Sequence, residues 1–216
     1  MKAKVGAIAQ ELKRRYPELE ACSADLRAAY HKLETCFASG GKLLVCGNGD
    51  SAADVEHIVG ELMKGFMLKR PLGPESLAAL EKVMPKSWRS FADGLQGALP
   101  ALSLVGQPAF ATAFANDAAP DLAFAQAVFG YGRAGDVLLA LSTSGNSRNV
   151  LNAALAAKAF GLGVVALTGR GGGELGRIAE VCVRAPADET YRVQELHLPI
   201  YHALCAMLEE NFFGEA

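Results

Sequence analysis

The chain has 216 residues, of which 51% are hydrophobic and 20% charged, enough apolar material for a buried core, so disorder is excluded as a description of the whole. Lysine and arginine total 21 against 23 acidic residues, and a net charge of −2 lacks the basic footprint of a nucleic-acid partner. Five scattered cysteines with no CxxC pair exclude a disulfide framework or a zinc knot and point to a reducing cytoplasm. The first twenty residues are charged within every turn, unlike a signal peptide, and no apolar run approaches the ~20 residues of a membrane span. A soluble, cytoplasmic protein is expected.

In chain order, 4–15 and 19–38 read as amphipathic helices, the second closing at Ser39-Gly40-Gly41. No strand precedes them, so they are expected to pack on a partner subunit or wrap the domain. Residues 42–47 form a short buried strand, and 51–64 a helix. Residues 69–99 break the alternation, with Arg70-Pro71 and Pro74 followed by two short helices, 75–83 and 87–95. Strands at 100–105, 136–142, 163–168 and 180–185 follow, with helices at 121–131, 147–160 and 189–213. Buried strands alternating with helices indicate a parallel sheet in a doubly wound α/β fold, whose ligands sit beyond the carboxyl ends of the strands.

Two of those ends carry unusual loops. Ser142-Thr143-Ser144-Gly145-Asn146-Ser147 puts four hydroxyls and a glycine at a helix N-terminus, an environment suited to a phosphate. The alternative, simple helix capping, needs only one hydroxyl. Gly47-Asn48-Gly49-Asp50-Ser51 lacks the lysine of a P-loop and the glycines of a dinucleotide fingerprint, leaving Asn48 and Ser51 to face a small polar ligand. His57 and Glu61, at i and i+4, share a helix face and can reach one metal or substrate atom, or form a solvated surface pair. On the last helix, Gln194 and His202 lie ~80° apart around the axis, whereas His197 is ~140° from His202 and makes a different contact. Asn116-Asp117 and Asp121 are also explained by an Asx turn or a cap.

The segments GNGDS, STSGNS, the AND-xxx-D stretch at 115–121 and RVQELHLPIYH together resemble the sugar isomerase (SIS) domain family and, within it, the phosphoheptose isomerases. The resemblance implies a flavodoxin-like three-layer α/β/α sandwich with a five-stranded parallel sheet and an N-terminal helical hairpin. It covers most of the chain as a single SIS domain, residues 1–216. Residues 1–40 are then expected to supply contacts in a homotetramer whose active sites lie at subunit interfaces. It implies one zinc per subunit held by His57, Glu61, Gln194 and His202. Substrate is expected at Asn48, Ser51, Asp117, Ser142, Thr143, Ser144, Ser147 and Gln194.

The implied reaction is an enediol-type aldose–ketose isomerisation of D-sedoheptulose 7-phosphate to D-glycero-D-manno-heptose 7-phosphate, a step of heptose biosynthesis. Glu61 would be the base and His202 the acid. The chain departs from the family pattern at Asp50 and in roughly two dozen extra residues after Arg70-Pro71, a helical insertion at 69–99. A non-catalytic SIS protein that binds the replication initiator DnaA is the first alternative, and it lacks the full Glu61 and His202 set. An SIS isomerase or sensor for another sugar phosphate is the second.

Overall fold

The structure, a computed structural model, describes residues 2–214. Helix α1 (Ala3–Arg15), a 3-10 turn (Pro17–Cys22) and α2 (Ser23–Ala38) lead into β1 (Leu43–Cys46). Then come α3 (Asp50–Met63), α4 (Pro74–Val83), α5 (Trp88–Asp93), β2 (Ala101–Ser103) and α6 (Pro108–Asp117). Helix α7 (Ala123–Tyr131), β3 (Val137–Leu141), α8 (Arg148–Ala159), β4 (Gly163–Thr168), α9 (Leu175–Ile178), β5 (Val181–Arg184) and α10 (Thr190–Phe213) complete the chain.

The five strands form one sheet in the order β2-β1-β3-β4-β5, with every pairing parallel. β1, β3 and β4 are buried along their whole length, which is why they read as unbroken apolar runs instead of alternating ones. Alternate residues feed two separate cores. Leu43, Val45, Leu139 and Val165 pack with side chains of α1, α2, α3 and α10 on one face. Leu44, Leu138, Ala140 and Val164 pack with α7 and α8 on the other. Three layers result, as the family resemblance implies.

Helices α1 and α2 do not lack a surface to cover. Val5, Ala9 and Leu12 of α1, with Leu26, Tyr30 and Leu33 of α2, are buried in the first core beside the sheet and α10. This is the wrapping of the domain that was one of the two expectations, and the later strands offer the face, which α3 and α10 cover only in part. The insertion stands off the domain. Helix α4 buries no residue and α5 buries only Ala92.

Strand order reverses between β1 and β3, the point at which a doubly wound sheet opens a crevice for ligands. The loops after β1 and β3 flank this crevice, and they are the two the sequence singled out.

Candidate functional site

The loop after β3 is shaped by glycines. Gly145 has φ +66°, and a Cβ there would stand 2.1 Å from the Gly172 carbonyl oxygen, so the turn is closed to larger residues. The neighbouring loop braces it: Leu175 N–H donates to the Gly145 carbonyl, and Glu174 N–H to Asn146 Oδ1.

Capping does not account for the hydroxyls. No side chain caps the N-terminus of α8; Ser147 Oγ instead lies 3.0 Å from Ser142 Oγ. Ser144 Oγ accepts the Asn146 N–H. Thr143 and Ser144 are at least partly open to solvent, and among the described residues the N–H groups of Arg148 and Asn149 have no acceptor. Free N–H groups, hydroxyls and a helix N-terminus within one loop favour an anion.

The loop after β1 is tied to this one. Asn48 Nδ2 donates to Asn149 Oδ1 at 2.8 Å, and Asn149 Nδ2 returns a bond to Asn48 Oδ1 at 2.9 Å. The Asn48 amide therefore joins the two sides of the crevice, with Asn149 a partner that the sequence reading missed. Ser51 is buried in the first turn of α3. Asp50 is exposed. Asp117 lies at the exposed end of α6, where Asn116 Nδ2 donates to it, and Asp121 pairs with Arg148.

A second group of side chains gathers between α3 and α10. His57 Nε2 is 3.2 Å from Glu61 Oε1 and 3.4 Å from His202 Nε2. The i, i+4 pair therefore meets the distant histidine, and Glu61, 9% exposed, is no surface residue. Lys64 Nζ stands 3.4 Å from the other Glu61 oxygen. Burial, then the facing His57, lowers the pKa of His202, so its imidazole is neutral near pH 7. The Phe66 ring packs against His202.

On the far side of His57, Tyr201 Oη lies 3.1 Å from Nδ1 and donates to Asp54 Oδ1 at 3.0 Å. Neither Asp54 nor Tyr201 figured in the sequence reading. Asp54 at i−3 from His57 and tyrosine beside His202 were the available signals.

One predicted residue, Gln194, falls outside the cluster, and His197 lies apart as expected. Gln194 makes no side-chain hydrogen bond among the described residues, and eight residues of helix put it about 12 Å along the axis from His202. His197 is fully buried and bonds the Thr168 carbonyl, the separate contact its position on the helix predicted.

Two imidazole nitrogens and a carboxylate are zinc donors in kind. Their two separations match the edge of a tetrahedron of ligands about 2.05 Å from an ion, about 3.3 Å. Among the described residues, however, no group of three or more His, Cys, Asp or Glu side chains closes into a cage able to hold a metal. The His57–His202 separation is equally that of an N–H···N hydrogen bond, which needs no metal.

A cavity of about 930 Å³ adjoins this cluster, between residues 65–72 and the insertion. Trp88, Arg89 and Asp93 of the insertion line it, and Phe66 forms a wall common to it and His202.

The chain matches the SIS domain over residues 9–98 and 95–169. It is 41% identical over 181 residues to the phosphoheptose isomerase of Thiobacillus denitrificans, covering 82% of this chain and 79% of that one. It is 34% identical over 199 residues to that of Akkermansia muciniphila, covering 92% of each. The solved phosphoheptose isomerase of Neisseria gonorrhoeae superimposes with a TM-score of 0.73 at 32% identity, over 96% of this chain and 97% of that one.

Proposed function

The chain belongs to the SIS domain family and within it to the phosphoheptose isomerases, and from that membership we infer that His57, Glu61 and His202 carry an aldose–ketose isomerisation of sedoheptulose 7-phosphate. The observation that supports this assignment is the convergence of Glu61 and His202, 141 residues apart in sequence, on His57.

The reaction moves one carbon-bound proton between neighbouring carbons and one hydroxyl proton between their oxygens. The Ser142–Ser147 loop and the start of α8 grip the phosphate, leaving the other end of the open-chain sugar to reach the histidines. Glu61 takes the proton from the hydroxymethyl carbon beside the ketose carbonyl, giving an enediol, and returns it to the former carbonyl carbon. His202 donates an N–H to the former carbonyl oxygen and takes the proton of the neighbouring hydroxyl, so the formula is unchanged.

Zinc is the metal this donor set suits, with His57, Glu61 and His202 as the residues of one chain that would hold it; Gln194, about 12 Å along α10 from His202, would join them only across a subunit interface. Such an ion would supply positive charge for a substrate oxygen, beside the roles of Glu61 and His202.

The remaining proposed substrate contacts are Asn48, Ser51, Asp117 and Gln194. Helices α1 and α2 would add tetramer contacts at their outer faces to the packing they make within the chain. A homotetramer with sites at its interfaces gives the unbonded Gln194 a place to act. A cytoplasmic location accords with five unpaired cysteines, and no helix among the described residues is long and apolar enough to cross a membrane. The test is isomerisation of a panel of ketose phosphates followed by NMR. Sedoheptulose 7-phosphate is expected to turn over fastest; preference for a shorter or amino sugar would reassign the substrate, and no turnover of any would favour the binding-protein reading.

A further inference from the structure

The Ser142–Ser147 loop and His202 stand on different elements, so a sugar phosphate of fixed length reaches both only if their separation is held. Five residues before His202 on α10, about 7.5 Å along the axis, is His197, which is 0% exposed. Its Nε2 lies 3.2 Å from the Thr168 carbonyl oxygen at the end of β4. Burial keeps this imidazole neutral near pH 7, with a single N–H. A carbonyl oxygen only accepts, so Nε2 carries the proton and donates. Nδ1 has no hydrogen-bond partner among the described residues. A buried nitrogen without a partner costs stability, and leucine or methionine would fill the space without that cost. Packing alone therefore gives no reason for a histidine here; the bond to Thr168 does.

The Thr168 carbonyl shares its peptide group with the Gly169 N–H, which donates to the Thr143 carbonyl at 2.9 Å. A Cβ on Gly169 would stand 2.8 Å from that oxygen, so glycine lets the two loops close up. One planar peptide thus joins α10 to the anion loop. Among the described residues no other side chain of α10 hydrogen-bonds the loops after β3 and β4. Tyr201 and His202 reach α3 instead, and Glu209 reaches residues 66–70. We propose that His197 is a positioning residue that, through the Thr168–Gly169 peptide, fixes the anion loop at one distance from His202 and so sets the length of sugar phosphate that is isomerised. Being fully buried, it touches no substrate atom. Its role depends on the sugar phosphate being held by the Ser142–Ser147 loop and isomerised beside His202.

The test compares the full native chain with His197→Leu, His197→Met and His197→Gln, the last keeping an N–H that can reach Thr168. The readout is the ratio of kcat/KM for sedoheptulose 7-phosphate to that for fructose 6-phosphate, which does not depend on the fraction of active protein. Native protein is expected to favour the seven-carbon sugar. In the Leu and Met variants the ratio falls at least about tenfold, the scale set by misplacement of a fraction of an ångström. Their unfolding midpoints and their inhibition by inorganic phosphate change little, because the Thr168 carbonyl keeps the Ala185 N–H and the anion loop keeps its brace from Leu175. The Gln variant retains the native ratio. Amide hydrogen exchange reads the link itself: the Gly169 N–H loses protection in the Leu and Met variants and keeps it in Gln. A native ratio in both apolar variants, whatever their stability, overturns the proposal, as does a changed ratio with Gly169 protection intact. A native chain that binds phosphate but isomerises no ketose phosphate refutes the isomerase reading instead, and Gly169 protection alone then decides whether His197 holds the loop.

Discussion

Replacing Glu209 by glutamine removes one charge from a fully enclosed ion pair. Arg70 and Glu209 side chains are 0% and 1% exposed, with Arg70 Nε 2.8 Å from Glu209 Oε1. The carboxylate also accepts the N–H groups of Phe66, Met67 and Leu68, and the guanidinium donates to the carbonyls of Leu62 and Glu61. The pair thus clamps the end of the helix bearing Glu61 to α10. Breaking a buried pair from one side costs about 3–5 kcal/mol, because the surviving charge stays desolvated. Residues 66–68 are partly open, so water can satisfy their N–H groups and little is added for them. Glu209→Gln is therefore expected to lose about 3–5 kcal/mol in urea unfolding, and Arg70→Met with Glu209→Gln to lose less than the sum of the two single changes. A single-variant loss under about 1 kcal/mol, or strict additivity, would refute the clamp.

Gly145→Ala places a Cβ 2.1 Å from a backbone oxygen at φ +66°, and is expected to distort the anion loop, raising KM for the sugar phosphate at least about tenfold in steady-state kinetics. Burial lowers the pKa of His197 to about 4 from an ordinary 6.5. The unfolded chain binds the extra proton first, so stability falls as pH drops from about 6.5 to about 4, by about 3 kcal/mol for this group. Unfolding midpoints across that range should show a shallower fall in His197→Gln, and equal slopes would contradict the assignment.

What was legible in the sequence was local. Strands β1, β3 and β4 stand out because both faces are buried, and the glycine and hydroxyl loop after β3 because chemistry and turn coincide in six residues. Helix α6 was not legible: its Ala- and Phe-rich run has no charged face, and none of its residues is buried to impose a period. The Asp54–Tyr201–His57 chain and the Arg70–Glu209 pair were hidden for a different reason. Each joins residues more than 130 apart, and nothing in either segment marks its partner until the sheet brings α3 and α10 together. The Asn48–Asn149 amide pair across the crevice was hidden likewise, since its two residues lie in loops far apart in the chain. Gln194 shared a helical face with His202 by angle, but the axial rise separated them.

Turnover of sedoheptulose 7-phosphate by Glu61→Gln, against the native chain at matched unfolding midpoint, addresses the chemistry most directly. Loss of the only proposed carbon base predicts a fall in kcat of about 10²–10⁴-fold with little change in phosphate-dependent binding. Native turnover by the variant would contradict the role assigned to Glu61 and, with it, the reacting centre between α3 and α10.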